Sequence, residues 1–315
     1  MIKQLAAVII LILLVGGFFL IYQKPKVEEN FRYVNIKVYD PTFVAYELGY
    51  FRNEGINLTF AGQEFGGPQA ILAVSSGSAD AGLSAIPAVI NAKKSGLEIK
   101  GVLDAQTAFK NSPLGIWLVL ENSSIKNPSD LKGKKIGINA LGASFYYSTL
   151  AYLEKNNFTK DDVNFVIIPH PNLEQSLRAG QIDVAGMIDP YTTHIEDGGG
   201  VRRLFNQVDA TGEKQFSLIF FSEKILNEKP EVAKGFIHAY NKAINYIKEN
   251  PENASEIMSK WMGIDSKFLK PHEFTKSAKV DMDSVKYWLD TMVKRGDLNE
   301  GDVSANDVAT NEFNS

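Results

Sequence analysis

The chain of 315 residues contains no cysteine. That absence excludes disulfides, thiolate nucleophiles and zinc ribbons together, and it removes the acylated cysteine that tethers a bacterial-type lipoprotein. An excess of basic charge is also missing. The 33 Lys and Arg residues stand against 37 Asp and Glu, a net charge of −4, so no positive field invites a polynucleotide or an anionic membrane surface. The 4 histidines, His170, His194, His238 and His272, lie far apart, with no H-x-H, H-E-x-x-H or Ser-His-Asp spacing. The turn from Ala140 to Ser144 lacks the Gly-Lys-Ser/Thr ending of a phosphate-binding loop. Neither a metal, a cofactor nor a catalytic set is expected.

What is present suits a globular protein of two units, with 44% apolar and 22% charged residues. The stretch from Leu5 to Tyr22 carries no charge, and as a helix it is about 27 Å long, nearly enough to span a bilayer. No clean A-x-A cleavage site follows it, although Gly16-Gly17 leaves cleavage open. Residues 1–23 are therefore expected to be a retained transmembrane anchor rather than a removed signal segment, and 24–32 a linker. Charge does not orient the anchor, since Lys3 lies on one side and Lys24 and Lys26 on the other.

From Tyr33 the pattern alternates strand with helix. "VNIKVY" is strand-like, "FVAYELGYFRNEG" is an amphipathic helix closed by Gly55, "INLTF" is a strand, and Gly66-Gly67-Pro68 opens the next helix. A second series starts at Lys134, with a helix over 144–156, a strand "VNFVIIP", a helix over 172–180 and the strand "DVAGMI". This βα rhythm with short connections predicts two α/β units with mostly parallel sheets. The apolar runs "GIWLVLE" (115–121) and "QFSLIFFSE" (215–223) read as strands crossing between the units. Amphipathic helices follow, the first carrying Val232, Phe236, Ile237, Tyr240, Ile244 and Ile247 at helical spacing. They have no strands of their own to cover, so the first unit is discontinuous. The expected division is 33–117 with 220–298, then 118–219, and a polar tail over 299–315. Lobes joined by two crossings rock like jaws.

The blocks "FVAYELGYFRNEGINLTF", "AVSSGSADAGLSAIPAVINAKKSG", "SSIKNPSDLKGKKIGI", "LRAGQIDVAGMIDPY" and "PEVAKGFIHAYNKAINYIKENPENASEIM" occur in this order over about residues 33–260. Together they resemble the substrate-binding proteins of ABC importers for sulfonates, taurine and nitrate, a group that includes receptors for pyrimidine precursors of thiamine. The resemblance implies a type II periplasmic-binding-protein fold and a solute held between two lobes. It also implies delivery to a membrane permease and its ATPase from the extracytoplasmic face of the membrane, the chain acting as a monomer.

In an open α/β sheet ligands sit beyond the carboxyl ends of the strands, where helices begin. Helix starts present unpaired N–H groups and partial positive charge, so several together hold an anion without Lys or Arg. The candidates are Gly66 and Gly67, Ser84 with Ile86, Gly142 through Ala143 to Ser144, and Asp189 before Pro190 with Tyr191. Ser144 reads equally as the cap of its own helix and as a ligand donor. Phe145, Tyr146 and Tyr147 diverge by about 100° each, so they cannot all face one cleft.

Asp40, Asp104 and Asp189 also follow strands. Asp40 has a turn-forming role before Pro41, and Asp189 a capping role before Pro190. Were two of the three to face the solute, a cationic, zwitterionic or heterocyclic ligand would be favoured over a small anion, with Phe43, Phe109, Tyr146 or Tyr191 stacking on it. Taurine, carrying both charges, satisfies both halves. A receptor for a pyrimidine and an enzyme on the same fold are the rival readings. A fungal pyrimidine synthase that resembles this family needs a cysteine-rich iron motif that is absent here.

Overall fold

The computed structural model of the chain describes residues 28–36, 38–64 and 66–314. The anchor expected over 1–23 lies outside them. Among the described residues no helix is long and apolar enough to cross a membrane.

The described residues open with β1 (Glu29–Ile36), α1 (Pro41–Glu47), α2 (Tyr50–Asn53), β2 (Ile56–Glu64), α3 (Gly67–Ser75), β3 (Ala81–Ala85), α4 (Ile86–Lys94) and β4 (Ile99–Thr107). A second series runs β5 (Gly115–Leu120), β6 (Lys135–Ile138), α5 (Ser144–Lys155), β7 (Asn164–Ile167), α6 (His170–Arg178), β8 (Val184–Ile188), α7 (Tyr191–Asp197), β9 (Val201–Asn206) and α8 (Gln207–Thr211). The chain returns through β10 (Gln215–Ser222) to α9 (Glu223–Glu228), α10 (Pro230–Glu249), α11 (Pro251–Met262), α12 (Met282–Lys294) and α13 (Ala305–Val308). β1 thus begins inside the stretch expected as linker, its Glu29 amide donating to the Gly55 carbonyl at 2.8 Å.

Two five-stranded sheets form, in the orders β2-β1-β3-β10-β4 and β7-β6-β8-β5-β9. β1 runs parallel to β2 and β3, and β6 parallel to β7 and β8. β10 and β5 each run antiparallel to both neighbours. These reversed strands are the two apolar runs expected to cross between the lobes, and that expectation needs correcting. Each lies wholly within one sheet, and residues 108–114 and 212–214 make the crossings. The reversal follows from the route: a chain arriving from the other lobe enters at the end where the βα strands finish, so it must run the opposite way. The crossings lie side by side, with the Ala108 amide donating to the Lys214 carbonyl at 2.9 Å.

The continuous apolar character of these runs comes from burial on both faces. Along β5, Trp117 and Val119 join the large core while Ile116 and Leu118 join a smaller one with Leu173, Leu177 and Met187. Each such side chain contributes about 1.5–3 kcal/mol of burial energy. The helices after β10 cover the first sheet: the amphipathic stripe expected from Val232 to Ile247 is buried along α10. Within the stretch set apart in sequence as a polar tail, residues 309–314 are fastened to the outer edge of β4. Ala309 pairs with Gly101, and Asn314 Nδ2 donates to the Val102 carbonyl at 2.9 Å, which shields an otherwise open strand edge.

Candidate functional site

A cavity of about 50 Å3 lies between the lobes, where the parallel strands end and the reversed strand β10 begins. That is space for a few waters or one compact polar group. The first lobe lines it with Ile36, Val38, Gly66, Gly67, Leu83, Ala85, Gln106, Phe216 and Ser217, and the second with Asn139, Ala143, Ser144, Phe145, His170, Ile188 and Tyr191. Among the described residues that line it there is no Asp, Glu, Lys or Arg.

Helices α3, α4, α5 and α6 all begin at this cavity. Their caps, Gly66, Ala85, Ala143 and Pro169, make no side-chain capping bond. The first-turn amides are therefore not consumed by their own caps, in contrast to α1, where Asp40 accepts from the Thr42 amide. In α5 the first main-chain bond within the helix is Tyr147 N to Ala143 O, at 3.2 Å. The amides of Ser144, Phe145 and Tyr146 precede it and have no carbonyl four residues back within the helix.

Gly67 is required by close approach. A Cβ there would stand 2.1 Å from Ser84 Oγ and 2.9 Å from Ser84 Cα. Ser84 is fully buried beneath this helix start, and its hydroxyl has no partner. Ser144 does not cap its helix; it occupies the first helical position, and its Oγ donates across the lobes to the Phe216 carbonyl at 3.0 Å. Two further buried atoms that line the cavity lack partners, Asn139 Oδ1 and His170 Nδ1. Burial pushes His170 down to about 4, so its imidazole is neutral at pH 7. Its ring meets Phe145 edge-on at 5.2 Å and lies nearly parallel to Tyr191.

Of the residues singled out from sequence, Gly66, Gly67, Ala143, Ser144 and Tyr191 line the cavity, and Ser84 lies directly under it. The others lie elsewhere. Ile86 is core, fully buried behind Ala85. Gly142 makes the left-handed turn before α5, at φ 69°, and its carbonyl accepts from Asn91 Nδ2. Tyr146 points away to pack on Tyr147 and Phe165, whereas Phe145 faces the cavity. Phe43 is core, stacked on Trp261 at 5.4 Å.

The three carboxylates also stand apart from the cavity. Asp40 accepts from Tyr33 Oη at 2.7 Å and from the Thr42 amide at 2.8 Å. Asp189 accepts from the amide and hydroxyl of Thr193 at 3.0 and 2.8 Å, holding the first turn of α7. It borders a separate polar cleft beside Arg203 and Glu196. Asp104 accepts from the hydroxyls of Thr107 and Thr275, both at 2.8 Å. Sequence reasoning passed over Gln106, Asn139, His170 and Ser217. The available signal was that Asn139 directly follows the last residue of β6 and that His170 opens a helix.

Asp104 gives a pH prediction. Burial raises its carboxyl to about 7 from an ordinary 3.8. A raised folded-state value favours the protonated fold, so this contribution is present below about 3.8 and is lost as pH rises through about 7. Asp104→Asn keeps two hydroxyl partners without the titration. Its stability relative to the parent, measured by urea unfolding, is expected to rise by a few kcal/mol between pH 4 and pH 8.

A family model described as NMT1/THI5 like matches residues 38–254. The chain belongs to the NMT1/THI5-like family. A Brucella abortus (strain 2308) protein named as a binding protein is 29% identical over 149 residues, 47% of this chain, so the match spans about half, 46%, of that relative's length. A Bacillus subtilis (strain 168) protein named for binding aliphatic sulfonates is 24% identical over 73% of this chain and 69% of its own. The alkanesulfonate-binding protein of Xanthomonas axonopodis pv. citri, solved bound to MOPS, superposes with a TM-score of 0.76 at 18% identity, covering 90% of this chain and 99% of the other. The fold is therefore the two-lobe α/β fold of periplasmic binding proteins, as the sequence blocks implied, with mixed rather than mostly parallel sheets.

Proposed function

We propose that this chain is the solute-binding receptor of an ABC importer. It takes the anionic head of a small sulfonate- or nitrate-like solute between its lobes and delivers it to a membrane permease and ATPase from the extracytoplasmic side. The observation that carries this is the convergence of four helix starts, none capped by a side chain, on a cavity whose described lining residues bear no formal charge. Such amides stabilise an anion through aligned dipoles. Asp40, Asp104 and Asp189, which would have favoured a cation, are spent on internal hydrogen bonds. The family membership and the name of the Bacillus subtilis relative point the same way.

Comparing Ser144→Pro with Ser144→Ala tests the amide contribution. Both lose the hydroxyl bond to Phe216, but only proline also removes the Ser144 N–H. Proline is accommodated at the first helical position, and Ala143 already has the extended backbone it requires, φ −107° and ψ 178°. Titration calorimetry with methanesulfonate, taurine and nitrate is expected to show Ser144→Pro binding about 10- to 100-fold more weakly than Ser144→Ala, the worth of one hydrogen bond to a charged group. Equal affinities would remove the helix starts from the site, and chemical turnover of a probe would make the protein an enzyme.

A further inference from the structure

His170, Pro171 and Tyr191 line the cavity on one side and a second chamber on the other. This chamber measures about 200 Å3, is partly open to solvent on the side of Glu174 and His194, and is walled elsewhere by Met187, Pro190 and Ile264. Its walls are largely apolar, and the carboxylate at its edge is already engaged: Glu174 accepts from Arg178 Nε at 2.8 Å and pairs with His194 Nδ1 at 2.9 Å. An apolar cavity of about 150 Å3 is enough for a benzene ring. The partition between the two spaces is a pair of side-chain rings, His170 and Tyr191, with centroids 6.0 Å apart and planes within 13°. At that partition sits the buried, unpartnered His170 Nδ1. A space of 50 Å3 accepts a compact head and little else, whereas the adjoining chamber is sized for one ring or a short chain.

Taking the first cavity as the site of an anionic head, we propose that the solute is a two-part organic anion. Its uncharged ring or short alkyl group lies past His170 and Tyr191 in the chamber beneath Ile264, and Nδ1 of His170 contacts it where head and tail join. Ile264 follows α11 on the first lobe, while Met187, Pro190 and Tyr191 belong to the second, so a tail placed there touches both lobes and favours their closure. Inorganic anions fill the head site and leave the chamber unused.

The test is calorimetric titration of wild type, Ile264→Trp and Ile264→Ala with methanesulfonate, which is head alone, and benzenesulfonate, which is head and ring. Wild type is expected to prefer benzenesulfonate by about tenfold or more, since a single methylene in an apolar pocket already discriminates by that factor. Ile264→Trp, which fills the chamber, should erase the preference while methanesulfonate affinity changes by less than about threefold. Ile264→Ala, which enlarges the chamber without crowding it, should weaken benzenesulfonate severalfold and methanesulfonate not at all. Equal wild-type affinities, or a preference that survives both substitutions, overturns the tail chamber and leaves the head site standing. Binding of neither sulfonate by folded wild-type protein overturns both.

Discussion

Gly67→Ala is expected to weaken solute binding about 100-fold and to destabilise the fold by about 1–3 kcal/mol, the usual consequence of overpacking a dense interior. The added carbon would stand 2.1 Å from Ser84 Oγ, 2.8 Å from Ser84 Cβ and 2.9 Å from Ser84 Cα. A hydroxyl can rotate away, but the other two atoms belong to the backbone and root of β3, the third strand of a five-stranded sheet. The start of α3 must therefore lift off the strand, carrying its unpaired amides out of the cavity. A displacement of about 1 Å at a positioning element lowers a rate or an affinity by around two orders of magnitude. Denaturant unfolding and calorimetry with methanesulfonate measure the two losses separately. Adding Ser84→Ala should recover only part of the stability, because Cβ and Cα remain. Wild-type affinity in Gly67→Ala would refute the close approach as a requirement of the site.

His170→Phe is expected to move stability and binding in opposite directions. Phenylalanine retains the ring packed against Phe145 and Tyr191 and removes a buried nitrogen that has no partner in the protein. Relief of an unsatisfied polar atom stabilises by about 1–3 kcal/mol, and loss of a hydrogen bond to a charged solute weakens binding by about 10- to 100-fold. The pH dependence carries a definite sign. The folded-state value, about 4, lies below the ordinary 6.5, so the neutral buried ring favours the fold above about 6.5 and that contribution is lost as pH falls through about 4. The stability advantage of the variant should therefore widen as pH is lowered across that interval. A variant less stable than wild type at pH 7, with unchanged affinity, would make His170 an ordinary core residue.

The two-lobe α/β architecture was legible because it rests on periodicity, which propagates over many residues. Alternating βα blocks, the stripe along α10 and the left-handed turn at Gly55 are each repeated or locally forced patterns. The destinations of the two apolar runs were not legible. An uninterrupted apolar strand reports burial on both faces and says nothing about which neighbour covers it, so β5 and β10 read as bridges when each sits within one sheet. In the cavity, glycines and a hydroxyl at strand-to-helix junctions stood out, since few residue types tolerate a backbone pressed against a ligand or a strand. Asn139, His170 and Gln106 carried no such mark, because one polar residue with no spacing rule looks like any other. The acidic residues misled for a related reason. Position after a strand places a residue at the correct end of the sheet, but side-chain direction decides whether it faces inward. Asp40, Asp104 and Asp189 each turn to a donor of their own.

Walls made, among the described residues, of amides and neutral side chains, with no Lys or Arg among them, bear on how such a protein responds to its surroundings. An anion captured there displaces no cloud of condensed counter-ions from the pocket, and the buried dipoles are shielded from the bulk electrolyte. Capture should therefore vary little with ionic strength. The same walls project no long-range pull into solution, which leaves encounter to diffusion and discrimination to the shape of the gap.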